Sequence, residues 1–477
     1  MKTGPAKVLC VGVTSPLRQL DPRTAHDAVS HLVLAQVYET PYARSAPPVP
    51  LLVSGRLSRT SSGGAQIFSA PVRPGLAFSD GTPVTAEHLV DALRELPHLV
   101  PGAKVTARGA TVEVALSQAS ENVEHWLSKR WSTVYLERDG RLLGTGPFMF
   151  ANEQTRDDEV RLVRNPHYRD PVPLDELVFR VFAADRDGRH PSLVEAMAAG
   201  EIHLTSALPR DELGPLQDVR KLFLPGESTA ILFFNTQRPP FSNRLFRRGV
   251  ATAIDRYELA RVCHPESPDL SARGLLPPKL CAAGDRIRHD PGEGRALLAQ
   301  AAEPLPVTLQ TLVVWGPRPY IAHPVRLVRE LDRQLAAFGI RLEPVYARDP
   351  EDYSARILAG DYHAVLGGWI PESDDPVDFL ESTLSSEMIP EARRPTALTA
   401  NFARWTDETT DELVRLSRAS SSPADVRAVI QHVGNEAPVL PLMYGPRAIV
   451  HTRDVQNFDS TPGYVPSFAK VDLALRA

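Results

Sequence analysis

Two hydrophobic patterns take turns along this chain: short apolar or alternating runs of strand length, and longer stretches with apolar residues at helical spacing. The run Lys7 to Thr14 reads as a short buried strand, followed by a Pro16 to Pro22 loop and a helix from Ala25 to Tyr38. From Pro41 to Leu76 the chain is rich in Pro, Ser and Gly, and only short alternating pieces, Leu51 to Val53 and Ala65 to Ser69, predict small strands. Thr85 to Leu96 reads as a helix with Thr85 as N-cap and Glu87 and His88 in its first turn. Val105 to Leu116 predicts a hairpin around Arg108 to Ala110.

Strands and helices then alternate. Gly144 to Phe150, Glu159 to Arg164 and Leu177 to Ala183 are strand-like, and Pro191 to Ala199 is a helix closed by Gly200. Ala230 to Asn235 predicts a buried strand. Asn243 to Val262 predicts one helix whose body carries Val250, Ile254, Leu259 and Val262. A strand over Val307 to Trp315 leads to an amphipathic helix, His323 to Phe338, that stops at Gly339; Arg341 to Tyr346, Glu351 to Leu358 and His363 to Gly367 continue the alternation. The expectation is an α/β protein of two lobes with a small β-rich insert.

Composition narrows the class. With 477 residues, 43% of them apolar, the chain can bury a large core. Its net charge of −5 comes from 53 basic and 58 acidic residues dispersed without a basic stripe, so no nucleic-acid partner is expected. No apolar run approaches the roughly 18 to 20 residues a membrane span needs. Met1, Lys2 and Lys7 precede only the short run Val8 to Val13, so no export signal is expected in this stretch. Cys10, Cys263 and Cys281 lack metal-ligand spacing; three ordinary thiols, or a Cys263 to Cys281 disulfide, are both open.

Catalytic and cofactor signatures are missing from the sequence. There is no G-x-G-x-x-G after a strand, no Walker loop, no H-E-x-x-H and no G-x-S-x-G. His26 and His31 do not match a helical metal pair, and adjacent Asp374 and Asp375 point to different sides. No catalytic residue, metal or cofactor is expected, and whether the chain is an enzyme is left open, leaning against.

Several motifs carry a family resemblance instead. They are Leu20-Asp21-Pro22, Val37-Tyr38-Glu39, the long stretch Arg73 to His88 around Asp80-Gly81-Thr82-Pro83, Gly144-Thr145-Gly146-Pro147-Phe148, and Arg164-Asn165-Pro166-His167-Tyr168. Phe234-Asn235-Thr236 with Pro239-Pro240-Phe241, Arg247 and Ala253 to Arg256 follow, then Ala437 to Leu442. In this order they resemble the extracytoplasmic solute-binding proteins of ABC importers, family 5, the oligopeptide, dipeptide and nickel-binding type. The resemblance implies a type II periplasmic-binding-protein fold. Lobe I is expected over 1–45, 145–238 and 447–477, the β-rich subdomain over 46–144, and lobe II, closing on the ligand, over 239–446.

The same resemblance implies the site. Gly367 to Pro376 resembles the family's Trp-x-x-Asp stretch, in which the acid three residues after the Trp pairs with a peptide's α-ammonium group; here Glu372 holds that position. Trp369 and Gly368 are expected beside it, Asn235 at the approach to lobe II, and His26, Asp27 and Ala28 on the opposite wall. Leu366 stands where some oligopeptide binders carry an Arg, which favours an amine-bearing ligand without a gripped carboxylate. The expected function is delivery of a peptide, amine or peptide-like solute to an ABC permease by a monomer, outside the cytoplasm. The alternative is a cytoplasmic relative that senses, carries or processes a small-molecule intermediate.

Overall fold

The structure is a computed structural model that describes the chain outside residues 1–5, 18–19, 26–27, 44, 46–47, 95, 97–101, 118–122, 152–157, 186–188, 225, 227, 266, 282–286, 315–317, 372–374, 392–398, 421, 446, 460–465 and 475–477. It is a mixed α/β periplasmic-binding-protein fold. Three sheets of four or more strands organise it.

The first sheet, in lobe I, has the lateral order Phe148–Phe150, Glu159–Arg164, Glu176–Val181, Val8–Val13, Leu204–Thr205, Arg447–Thr452 and Val219–Leu224. Val8–Val13 is parallel to both neighbours. A parallel interior strand is covered on both faces, which explains its unbroken apolar run. Leu9, Val11 and Val13 enter one core, while Cys10 packs on a second core built around Leu193 and Met197. A Cβ on Gly12 would lie 2.4 Å from Leu193 Cδ1, so this glycine lets the helix Pro191–Ala198 sit directly on the strand.

The second sheet, in lobe II, runs Ile340–Tyr346, Val307–Val313, Ala364–Trp369, Thr229–Phe234 and Val439–Tyr444. Thr229–Phe234 is buried at all six positions and antiparallel to both neighbours. Ala230, Leu232 and Phe234 fill one core of lobe II; Ile231 and Phe233 fill the other. This corrects the expected lobe boundary at 238, because the chain has already changed sheets between Leu224 and Thr229. A run without alternation needs apolar layers on both sides, and the middle of lobe II supplies them.

The expected single helix Asn243 to Val262 is two. Arg244–Ala253 ends at Ile254 in extended backbone, and Asp255 starts Arg256–Cys263 by accepting the Tyr257 and Glu258 N–H groups at 3.0 Å each. Apolar periodicity runs through the break because both helices face the same core; the Asp255 cap is what interrupts the backbone.

The third sheet, Ser58–Ser62, Ala65–Pro71, Thr111–Leu116 and Lys104–Arg108, forms the small subdomain with the helix Ala86–Ala92, whose Leu89 packs with Phe68, Val112 and Val114. Thr85 precedes that helix in extended backbone, and His88 Nδ1 accepts its N–H at 3.0 Å.

The family landmarks meet at the seam between this subdomain and lobe I. The Gly146 N–H donates to the Val37 carbonyl at 2.8 Å and the Ser79 N–H to the Gly144 carbonyl at 2.9 Å. A Cβ on Gly144 would lie 2.0 Å from the Val37 oxygen, and one on Gly146 2.6 Å from the Gln36 oxygen. Buried Asn165 donates to the Gly146 carbonyl at 2.8 Å, and Arg169 holds Glu39 through two bonds of 2.7 Å. Gly81, at φ +88°, turns beneath the His167 ring. Cys10, Cys263 and Cys281 are not joined by a disulfide. Among the described residues no helix is long and apolar enough to cross a membrane.

Candidate ligand-binding cleft

Two crossovers join the lobes. Val219–Leu224 continues into Thr229–Phe234, and Val439–Tyr444 continues into Arg447–Thr452. The Gly445 N–H bonds the Ser228 carbonyl at 2.9 Å, tying one crossover to the other. A Cβ on Gly445 would fall 2.0 Å from the Pro319 oxygen, and one on Gly226 2.7 Å from Tyr444 Cβ. Side chains have no room here. A pair of adjacent strands passing through one tight point can bend while holding the lobes in register.

These crossovers locate the rim of lobe II that faces lobe I. Thr229, its first strand residue, pairs with Tyr444 on one side and Trp369 on the other. Trp369 therefore ends its strand at the cleft rim, half-buried against the core around Phe402 and Trp405. A Cβ on Gly368 would lie 2.4 Å from both the Thr229 oxygen and the Tyr320 ring, so Gly368 packs backbone against backbone and ring. The chain then runs through 372–374, which includes Glu372 and lies outside the described residues, to Asp375. Asp375 caps the helix Pro376–Leu384 by accepting the Val377 N–H at 2.9 Å.

The other expected contacts are not brought to this rim. Asn235 follows the opposite end of the strand begun by Thr229, about 20 Å away at strand rise. Its amide is fully occupied by lobe II backbone: Nδ2 donates to the Gly360 and Tyr362 carbonyls at 3.1 and 2.9 Å, and Oδ1 accepts the Gln237 N–H at 3.2 Å. His26 and Asp27 lie outside the described residues, and Ala28 opens the helix Ala28–Val37.

A charged cluster behind the rim was not read from the sequence. Lys129 of the subdomain forms an ion pair with Asp378, in the first turn of the helix that Asp375 caps, and each is 7% exposed. Farther along the same helix Glu381 pairs with Arg418. Burial, reinforced by the charge of Asp378, pushes the Asp375 carboxyl above its ordinary range, with Lys129 and His125 pulling the other way. Burial lowers the Arg418 guanidinium, while Asp378 and Asp375 oppose that shift. The signal in the sequence was faint: Asp375-Pro376-x-Asp378 announces a capped helix, and Lys129 is one of seven lysines in an arginine-rich chain.

A second contact crosses beside the hinge. Arg210 of lobe I donates to the Ser267 hydroxyl at 2.9 Å, and His323 Nε2 lies 3.4 Å from an Asp211 carboxylate oxygen. That hydrogen bond is the chief reason the Asp211 carboxyl is held below its usual range. Next to His323, burial pushes the His264 imidazole down to about 4, with the charges of His323 and Arg326 adding to it and Asp211 opposing. Among the described residues, no three His, Cys, Asp or Glu side chains converge as a metal site.

Two α/β lobes on a double-strand hinge, with buried charges meeting across the seam, define a two-jawed binding protein. The chain belongs to the bacterial extracellular solute-binding proteins, family 5, whose middle-region model matches residues 48–389. It is 25% identical over 348 residues to di/tripeptide-binding protein 2 of Pseudomonas aeruginosa, covering 71% of this chain and 62% of that protein. It is 26% identical over 314 residues to heme-binding protein A of Haemophilus influenzae, covering 64% of this chain and 55% of that one. The chain thus spans less than two thirds of the length of these relatives. The fold superimposes on the ABC transporter-associated periplasmic binding protein DppA of Helicobacter pylori in complex with the peptide STSA, with a TM-score of 0.83, 19% identity and 98% of each chain covered.

Proposed function

We propose that the protein encloses a peptide, amine or peptide-like small molecule between lobe I and lobe II and delivers it, as a monomer outside the cytoplasm, to an ABC importer. The observation that carries this reading is the position of Trp369: it leaves the lobe II sheet at the rim facing the crossovers, so the segment ending at Asp375 runs along that rim. Glu372 then presents a carboxylate to the ligand's ammonium group in a partly desolvated cleft, where such a charge-assisted bond is strong. Trp369 and Gly368 form the adjoining wall, and His26, Asp27 and Ala28 serve on the wall opposite. The family membership and the relatives named for peptides and heme support a small-molecule cargo.

Isothermal titration with a pool of free dipeptides and the same pool N-acetylated tests this. Free dipeptides bind, and acetylation or Glu372→Gln weakens binding by about 30-fold or more, as loss of one partner in a buried charge pair does. Equal binding of the acetylated pool contradicts the ammonium anchor. No binding by dipeptides or polyamines contradicts the cargo class.

A further inference from the structure

We propose that Lys129 is a positioning residue for the closed cleft: its ammonium, carried by the small subdomain, pairs with Asp378 of lobe II when the jaws meet and keeps them predominantly shut. This rests on the two-jaw reading above but names a residue and an element outside the expected ligand contacts.

Both charges are mounted on rigid supports belonging to different bodies. The Lys129 N–H donates to the Trp126 carbonyl at 3.1 Å, and its own carbonyl accepts the Ser132 N–H at 2.9 Å. Trp126 and Leu127 belong to the subdomain core. Asp378 stands on Pro376–Leu384, and Val377, Phe379 and Leu380 beside it are in the lobe II core. The subdomain is bonded to lobe I through the glycine seam, so the Lys129 contact makes subdomain and lobe I act as one jaw against lobe II.

The chemistry suits a reversible contact. Pairing in a buried seam trades hydration of two charges for their mutual attraction, and the two nearly cancel. Opening returns both groups to water, so neither state is locked. Removing one partner is different. Without Lys129, closure buries Asp378 beside Asp375, whose carboxyl is already pushed up by burial and by that neighbour. Without Asp378, closure strands an ammonium. Either single change therefore opens the jaws, whereas replacing both charges by apolar side chains of similar size leaves closure possible.

Small-angle scattering on the full chain without added solute tests the latch. Wild type and the double variant K129M/D378L have the same compact radius of gyration, while K129M and D378L alone are expanded. Circular dichroism monitors folding; if D378L fails to fold, K129M and the double variant decide. Singles as compact as wild type, wild type as expanded as the singles, or a double variant as expanded as its parents each overturn the proposal. In the dipeptide titration the singles lose affinity about tenfold or more and the double regains it. A chain that binds no dipeptide refutes the cargo reading but leaves the scattering result to judge the latch.

Discussion

The small subdomain has two seams, and they are built from different materials. Toward lobe I it is joined by backbone: the Gly146 and Ser79 N–H bonds, glycines with no room for a Cβ, and the paired bonds of Arg169 to Glu39. Toward lobe II, among the described residues, no backbone hydrogen bond crosses and the ion pair Lys129 to Asp378 makes the contact. Buried backbone groups cannot part without leaving unsatisfied donors and acceptors, whereas paired charges can part into water. The first seam is a weld. The second is a contact that can open.

Breaking the weld has the largest expected effect. Glu39 and Arg169 are 8% and 14% exposed at their side chains, so Glu39→Ala strands a mostly buried guanidinium. The loss is roughly 3 to 5 kcal/mol, toward the lower end because Arg169 also stacks on Tyr168 at 4.7 Å. Urea unfolding reads it; a loss below about 1 kcal/mol would mean the seam is not a weld.

The hinge-side contact comes next. His264 is 2% exposed and held neutral, its folded pKa near 4 lying below the ordinary value near 6.5. A group depressed in this way contributes stability above about 6.5 that is lost as pH falls toward 4, because the unfolded chain takes up the proton first. The span amounts to at most roughly 3 kcal/mol. His264→Gln should flatten that limb in urea unfolding between pH 7 and pH 4.5. An unchanged acid limb would show that the groups facing His264, namely His323, Asp211 and Arg326, do not hold it neutral.

Lys129→Ala has the smallest expected effect on stability. Its cost is capped by the free energy of opening, since an open cleft rehydrates Asp378, so unfolding free energy falls by less than about 1 kcal/mol while closure is lost. A loss as large as that of Glu39→Ala would erase the distinction between the seams.

What the sequence revealed follows the same division. The motifs that carried the family resemblance are local demands on backbone: a turn at Asp80-Gly81, a cap at Thr85, glycines against Val37. Such demands restrict residue type at fixed spacing, and that is why they read clearly. In the structure they build the weld. The cleft is different. Lys129 and Asp378 meet from distant parts of the chain, and nothing near either marks the other. Trp369 was legible because its segment repeats a family pattern, and sheet pairing then showed which edge it occupies. Asn235 belonged to an equally legible motif, yet its amide is spent on Gly360, Tyr362 and Gln237, a turn lock at the far end of the strand. The break at Ile254 escaped the periodicity because both helices share one core.

Pulsed electron spin resonance distances test the two-seam account most directly. Labels at exposed Arg108 in the subdomain, Asp218 in lobe I and Arg261 in lobe II, with Cys10 and Cys281 replaced by Ser, report on both seams in one chain. On adding the dipeptide pool to K129M, the Arg108 to Asp218 distance stays single and unchanged while the Arg108 to Arg261 distance shortens to its wild-type value. A change in the first distance, or two distances that never respond, would contradict the account.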